Sequence, residues 1–247
     1  MRDHDFSNPK YWEAEYANAV SEMSTMDWYG LGADKMWSLL QPLLPAATAA
    51  DVLEVGCGSR PLLPGLHAIA NSRFDRLLAT DLSPTIIARL VEAQGRSGVS
   101  SVEFGVADCR RTGQIDESFD VVLDKATCDA LMSGTDHHES VSALAREAAR
   151  LLRPNGHLVV VTHFQVDYPD APPECNATPL LDALLAGLIA GAPHAAWTAT
   201  AHVPDPDDCP RVLAFCKRPP RRVSRGRSMP PTTIAEVLLK MKIIEHG

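Results

Sequence analysis

Short apolar runs alternate with helical patterns through the central part of the chain. The apolar runs predict buried strands at 52–55, 76–80, 102–106, 119–123 and 157–162. Apolar positions at helical spacing predict helices between these strands at 62–70, from residue 84 onward, and at 139–152. Ser83 and Pro84 are typical of a helix start. The Ser hydroxyl can accept a hydrogen bond from a backbone amide of the first helical turn, and Pro fits the first helical position. This alternation predicts a parallel sheet with helices on both faces.

The pattern changes after the fifth predicted strand. One more apolar helix is predicted at 180–189, and two alternating runs follow at 197–203 and 211–216. A turn-rich segment with three prolines separates the two runs, so we expect an antiparallel hairpin. Five parallel strands closed by such a hairpin are uncommon among dinucleotide-binding folds.

The flanking segments differ in composition from the predicted sheet. Residues 7–44 hold six of the fourteen aromatic residues, which suits either helical packing or a lid. The segment 217–227 is basic and rich in proline, which predicts a solvated tail or a docking arm for an acidic partner. We therefore expect an N-terminal helical lid at 1–48 and a core at 49–217. A basic linker with a weak C-terminal helix at 233–244, or a disordered tail, is expected to occupy 218–247.

Composition narrows the possible partners and compartments. A formal charge of -8 and a pI near 5.6 disfavour a nucleic-acid partner, since proteins that bind nucleic acids carry basic patches. Six scattered cysteines, without zinc-like spacing, predict reduced thiols and no metal site. The first residues have no apolar signal core, and no run approaches the roughly 18 apolar residues of a membrane span. We expect a cytoplasmic protein without a membrane partner.

Polar residues and glycines stand where the predicted strands end, the edge at which open α/β sheets bind ligands. Gly56 and Gly58 follow the first strand and allow a sharp turn close to a ligand. Position 61 is Pro, so the third glycine of a dinucleotide fingerprint is missing. Asp81 ends the second strand, where its carboxylate could accept hydrogen bonds from ribose hydroxyls. Asp108 follows the third strand, where its carboxylate could accept a hydrogen bond from an adenine amino group. Together these positions predict an adenosine-containing ligand.

The fourth strand ends in Asp124 and Lys125, which mark either a solvated strand end or a site of chemistry. At this point the chain resembles the class I S-adenosylmethionine-dependent methyltransferases, through its E-V-G-C-G turn, its acids after strands two and three, and its closing hairpin. The strings YWEAEY, MDWYG and SFDVVLDKATCDAL further resemble the lysine methyltransferases of elongation factor 1-alpha, including the methyltransferase-like 13 group.

This resemblance implies a Rossmann-like, seven-stranded α/β sheet, mostly parallel with a C-terminal antiparallel hairpin, and S-adenosyl-L-methionine as cofactor with S-adenosyl-L-homocysteine as product. Carried over residue by residue, the cofactor pocket would consist of Trp12, Tyr16, Trp28, Glu54, Gly56, Gly58, Asp81, Leu82, Asp108, Cys109 and Lys125. Lys125 would face the methionine carboxylate, and Asp124 would lie at the rim and orient the acceptor amine. His137, His138 and His163 are further candidate bases.

Three functions are compatible with these sequence features. The first is methylation of a protein lysine, with a translation factor as one candidate substrate. The second is an N- or O-methyltransferase of small molecules, because Ala126 and Cys128 replace residues of the family signature and could alter the rim. The third is a catalytically silent binding module that works through the basic tail. Neither an Asn/Asp-Pro-Pro-Tyr string nor a metal-ligand cluster is present, which disfavours amide methyltransferases and magnesium-dependent ones.

Overall fold

The computed structural model describes residues 5–18, 28–97, 102–164, 178–203, 210–219, 233, 237 and 241–245. In this part of the chain, one mixed sheet is flanked by α-helices. Its strands are β1 Ala50–Val55, β2 Phe74–Asp81, β3 Glu103–Val106, β4 Phe119–Lys125, β5 Leu152–Thr162, β6 Ala196–Val203, β7 Arg211–Arg218 and β8 Lys242–Glu245. The helices are α1 Pro9–Asn18, α2 Ala33–Leu40, α3 Leu63–Ala70, α4 Pro84–Ser97, α5 Thr127–Met132, α6 His137–Leu151 and α7 Thr178–Gly191. Short 3-10 turns lie at Trp28–Gly30, Gln41–Leu43 and Asn71–Arg73.

The strand order across the sheet is β3-β2-β1-β4-β5-β7-β6-β8. Strands β1 to β5 run parallel, and β7 pairs antiparallel with both β5 and β6. In the register of this sheet, Val55 lies between Thr80 of β2 and Asp124 of β4. The carboxyl ends of the three strands therefore meet at one edge, as predicted from the sequence. The predicted parallel strands and closing hairpin are confirmed.

Two apolar cores lie on opposite faces of the sheet, because successive side chains of a strand point to opposite sides. On β4, Val122 belongs to the core under α6 and α7, whereas Val121 and Leu123 belong to the core under α2, α3 and α4. Helices α6 and α7 approach closely, since a Cβ on Gly187 would lie 2.1 Å from the Ser142 carbonyl oxygen. This double cover explains why the central strands read as nearly continuous apolar runs.

The N-terminal segment supplies part of the second core. Met36 and Leu40 of α2 are fully buried there, and Tyr16 of α1 is buried beside them. The division into lid, core and tail stays a prediction. Within the predicted lid, α2 packs as core.

The C-terminal segment departs from the predicted helix at 233–244. Lys242–Glu245 forms β8, which pairs parallel with β6 from Thr200 to Val203. The helix prediction is therefore wrong for these residues, whereas Val237 is helical and its amide donates to the Thr233 carbonyl at 3.2 Å. Within the described residues the sheet has one strand more than the seven expected. Residues 165–177 and 220–232 lie outside the described residues, and the second of these ranges includes residues 220–227 of the predicted basic segment 217–227. No helix in the described ranges is long and apolar enough to cross a membrane.

Candidate cofactor and acceptor site

A cavity of about 310 Å³ opens at the carboxyl ends of the parallel strands, between the sheet edge and the aromatic residues of α1 and Trp28–Gly30. Its walls include ten of the eleven residues predicted to hold the cofactor. These ten are Trp12, Tyr16, Trp28, Gly56, Gly58, Asp81, Leu82, Asp108, Cys109 and Lys125. The structure thus brings together side chains from the N-terminal segment and from the ends of four strands.

The turn after β1 requires glycine at position 56. Gly56 has a φ of 58°, a backbone conformation that L side chains rarely adopt. A Cβ there would lie 2.0 Å from the hydroxyl oxygen of Thr127, which donates a hydrogen bond of 3.1 Å to the Val55 carbonyl. The Cys57 amide in turn donates to the Thr80 carbonyl at 2.9 Å. The turn is therefore fixed from both β2 and α5.

Glu54 is the predicted cofactor residue that does not line the cavity, which corrects its expected role. Its side chain is buried and accepts hydrogen bonds from the amides of Leu62 and Leu63, at 3.0 and 3.2 Å. These amides lie at the start of α3, where a helix has donors without partners of its own. Burial raises the pKa of Glu54 to about 7, although the two amides oppose the shift. The Glu54 side chain therefore holds the start of α3.

This raised pKa predicts how Glu54→Gln changes stability with pH. The native protein binds the Glu54 proton more tightly than the unfolded chain, so wild-type unfolding free energy falls as pH rises from about 4.5 to about 7. Glutamine keeps an acceptor for the α3 amides without a charge. We expect the stability of Glu54→Gln relative to wild type to increase across this window by on the order of 1–3 kcal/mol. Urea denaturation at pH 5 and pH 8 measures the difference, and Glu92→Gln at an exposed position of α4 controls for the substitution itself.

Asp81 joins the glycine turn to the start of α4. Its two carboxylate oxygens accept hydrogen bonds from the amides of Gly58, at 3.0 Å, and Ser83, at 2.9 Å. Burial raises the pKa of Asp81, and the backbone amides oppose this shift. The hydroxyl of Ser83 caps α4 by accepting from the Ile86 amide at 3.3 Å, as predicted. Asp81 is thus held rigidly at the cavity wall.

Asp108 forms a bidentate ion pair with Arg110, whose Nη2 lies 2.8 Å from Oδ2. Burial opposes ionisation of Asp108, but hydrogen bonds from the Arg110 side chain and amide hold its pKa below the ordinary value. Both residues line the cavity beside Cys109. The Arg110 amide, Nε and Nη2 all donate to the two carboxylate oxygens, so Arg110 fixes the orientation of Asp108 at the cavity wall.

Aromatic rings cover the cavity. Trp12 stacks on Tyr16 with ring centroids 5.8 Å apart and meets Trp28 edge-on at 6.5 Å. The Glu13 carboxylate accepts hydrogen bonds from the hydroxyls of Ser83 and Thr85 at the start of α4. A negative charge is favoured at a helix N-terminus, so the contacts of Glu13 with the start of α4 stabilise the position of α1 over the cavity.

Asp124 does not lie at the rim, which corrects the expectation that it orients an acceptor amine. Its side chain is 0% exposed and accepts hydrogen bonds from the amides of Thr127, at 2.8 Å, and Cys128, at 3.1 Å. Burial raises the pKa of Asp124 to about 6. The carboxyl group therefore caps the first turn of α5 from below. Lys125, the next residue, lines the cavity as expected.

Of the two substitutions in the family signature, one alters the cavity wall. Cys128 is fully buried in the core under α6, so its expected place at the rim is wrong. Ala126 lines the cavity and has a φ of 70°, in the left-handed region that favours glycine. The departure from glycine at position 126 therefore introduces backbone strain before α5.

Ala126→Gly is expected to raise the unfolding free energy by roughly 0.5–1 kcal/mol. Glycine relieves the left-handed strain of about 1–2 kcal/mol, and the greater entropy of the unfolded chain offsets part of the gain. Thermal and urea denaturation measure the change. Ala93→Gly, at an exposed position of α4, is the matched control and should lose roughly 0.5–1 kcal/mol. Equal losses in both variants would contradict strain at position 126.

Asp129 is a cavity residue that the sequence analysis did not single out, although it belongs to the quoted string at the end of β4. Its carboxylate accepts hydrogen bonds from the Thr162 hydroxyl at 2.5 Å, from the His163 ring at 3.0 Å and from the hydroxyl of Tyr29. Of the three candidate bases, His163 lines the cavity, whereas His137 and His138 do not.

No cluster of His, Cys, Asp and Glu suited to a metal ion occurs among the described residues.

The strand order, the glycine turn after β1 and the acid at the end of β2 are those of class I S-adenosylmethionine-dependent methyltransferases. Residues 53–160 match the family described as Methyltransferase domain. The mitochondrial citrate synthase-lysine N-methyltransferase of Pongo abelii is 32% identical over 180 residues, which cover 66% of this chain and 72% of that protein. EEF1A lysine methyltransferase 4 of Mus musculus is 27% identical over 177 residues, covering 67% of this chain and 66% of that protein.

A solved structure shares the fold. Phosphoethanolamine N-methyltransferase 1 of Haemonchus contortus, in complex with phosphoethanolamine and S-adenosylhomocysteine, superposes with a TM-score of 0.57 at 15% identity, covering 96% of this chain and 53% of that one. The chain belongs to the class I S-adenosylmethionine-dependent methyltransferase family. It is an enzyme of that family, with S-adenosylmethionine as its cofactor.

Proposed function

We propose that this methyltransferase transfers a methyl group to a lysine side chain of a protein. The similarity to lysine methyltransferases of citrate synthase and EEF1A carries the proposal. The cavity supports it, since Trp28, Tyr29 and Asp129 all line its wall and the Tyr29 hydroxyl donates a hydrogen bond to the Asp129 carboxylate. Aromatic faces and a carboxylate both attract a cationic amine.

The residues of the cavity suit S-adenosylmethionine, and we assign them as follows. Asp81 would hold the ribose hydroxyls, and Asp108 with the Cys109 backbone would hold the adenine edge. Lys125 would pair with the methionine carboxylate as a compact positive charge. Tyr16, Trp12 and Trp28 would shield the site from water. When bound, the cofactor supplies an electrophilic methyl group to a nucleophile held in line with it.

The protein must also provide a neutral acceptor nitrogen, because a free lysine has a pKa of about 10.4. Insertion of the lysine between Trp28 and Tyr29 would remove water from the ammonium and lower its pKa. The aromatic residues that line the cavity therefore favour a long, thin side chain as the acceptor.

The test is transfer of radiolabelled methyl groups to a cell extract separated into protein and small-molecule fractions. Purified citrate synthase and elongation factor 1-alpha serve as defined candidate substrates. We expect label on a protein band that mass spectrometry maps to a lysine. Label confined to small molecules would instead support an N- or O-methyltransferase of metabolites, and absence of label despite cofactor binding would contradict both functions.

The cytoplasmic location also stands as a proposal. Cys57, Cys109, Cys128 and Cys216 are free thiols in the described part of the chain, which suits a reducing compartment. The name of the Pongo abelii relative places that protein in mitochondria. Fractionation of cells that express the tagged protein distinguishes the two compartments.

A further inference from the structure

Several hydrogen-bond donors converge on the carboxylate of Asp129, whose side chain is only 6% exposed. The backbone amide and the ring Nδ1 of His163 lie 3.1 and 3.0 Å from Oδ2, and the Tyr29 hydroxyl also donates to Oδ2. The Thr162 hydroxyl lies 2.5 Å from Oδ1. Both oxygens are therefore occupied, and the carboxylate is fixed at the first turn of α5.

This arrangement defines the orientation of the His163 ring. A carboxylate accepts from Nδ1–H, so the hydrogen bond assigns the proton of the neutral ring to Nδ1 and the basic lone pair to Nε2. The ring stacks on Phe164 with centroids 4.3 Å apart, which holds its plane. His163 lines the cavity with a side chain that is 39% exposed, so the ring is accessible to solvent.

The backbone of Tyr29 is strained, which indicates that its contacts with Asp129 and His163 hold it in this conformation. Tyr29 has a φ of 72° and a ψ of 2°, a left-handed conformation that costs a non-glycine residue about 1–3 kcal/mol. In this conformation its hydroxyl reaches Asp129, and its ring centroid lies 6.2 Å from that of His163. The strained turn thus brings the N-terminal aromatic segment onto the Asp129–His163 pair.

We propose that His163 takes the proton from the acceptor lysine and that Asp129 is the positioning residue for His163. This inference rests on the proposed function, since it requires an amine acceptor that arrives protonated. In the step, one N–H bond of the ammonium breaks, its electron pair stays on nitrogen, and the proton bonds to Nε2 of His163. Asp129 stabilises the resulting imidazolium, which afterwards releases the proton to water.

The groups around His163 define its expected titration. Asp129 on α5 and Tyr29 from the N-terminal segment contact it, and Lys125 on β4 lines the same cavity. Asp124 lies below Asp129, close enough for the charge of Asp129 to raise the pKa of Asp124. The hydrogen bond to Asp129 raises the pKa of His163 above its ordinary value, against the effect of burial. Activity should therefore rise with pH as His163 loses its proton.

The first readout needs no turnover. NMR titration of the His163 ring is expected to give a pKa above 6.5 in wild type and a lower pKa in Asp129→Asn, which keeps the shape of the carboxyl group. His138→Gln replaces an exposed histidine outside the cavity and should leave the His163 titration unchanged. Identical His163 titrations in wild type and Asp129→Asn would overturn the proposed pair, whatever the acceptor is.

The second readout is the rate on the methylated protein. His163→Gln is expected to lose about 100-fold or more in kcat, the range of acid–base catalysis, while cofactor affinity by calorimetry stays within about threefold. In Asp129→Asn the acid limb of the pH–rate profile should move to lower pH, which loss of structure alone would not cause. A His163→Gln enzyme with the wild-type rate and pH profile would overturn the role of His163. If wild type labels no protein lysine, the proposed function fails, and the NMR titration still decides whether Asp129 controls His163.

Discussion

Asp81→Ala is expected to weaken S-adenosylmethionine binding by about 100-fold or more. The substitution removes the carboxylate proposed to accept the two ribose hydroxyls, and each lost hydrogen bond to a charged group is worth about 1.5–3 kcal/mol. Every 1.4 kcal/mol changes affinity tenfold. The Gly58 and Ser83 amides also lose the acceptor that holds the turn and the start of α4 in place at the cavity wall. Isothermal titration calorimetry with S-adenosylmethionine and with S-adenosylhomocysteine measures the effect.

Asp75→Ala is the matched control for this prediction. Asp75 lies on the same strand, at its opposite end and exposed to solvent. We expect its affinity for the cofactor to equal that of wild type. A folded Asp81→Ala protein that binds the cofactor within threefold of wild type would contradict the assigned role of Asp81.

Gly56→Ala is expected to lower the unfolding free energy by about 2–5 kcal/mol and to abolish cofactor binding. Two independent effects act at this position, namely the positive φ and the approach of a Cβ to within 2.0 Å of the Thr127 hydroxyl. Left-handed strain costs about 1–2 kcal/mol and overpacking about 1–3 kcal/mol. Relief of the clash would move the turn or α5, and both form the cavity wall. Urea denaturation and calorimetry measure the two outcomes.

Gly95→Ala shows what the same substitution does without these constraints. Gly95 lies in α4, and a Cβ there would meet nothing within 4 Å. Alanine is a better helix former, so this variant should gain roughly 0.5–1 kcal/mol. If both variants changed stability in the same direction, the close packing of Gly56 against Thr127 would not be the cause.

The sequence predicted the central sheet because local signals are strong there. Strands buried on both faces read as continuous apolar runs, and the carboxyl ends of parallel strands must meet at one edge. This is why Asp81 and Lys125, far apart along the chain, could be assigned to one cavity. The same reasoning failed for Glu54 and Asp124. Both are acids near strand ends, but their side chains turn to cap helix starts, and composition alone does not reveal that direction.

The acceptor side of the site depends on contacts between distant residues. Tyr29 and Asp129 are 100 positions apart, and Asp129 and His163 are 34 apart. No local pattern indicates that these three residues meet, because the contact depends on a left-handed turn at Tyr29 and on the orientation of α5. Strand β8 shows the same limitation, since an apolar run as short as residues 243–244 suits a helix or a strand equally well.

Strand β8 also determines which backbone groups lie at the border of the sheet. It pairs with β6, so among the described residues the edge of the sheet on that side is a segment of only four residues. A shortened chain that ends after Arg218 would uncover the ladder groups of β6 from Thr200 to Val203. Uncovered edge strands recruit other chains, so such a truncation should self-associate. Strand β8 is therefore expected to protect the solubility of this enzyme, at the border of the sheet that lies beyond the C-terminal hairpin.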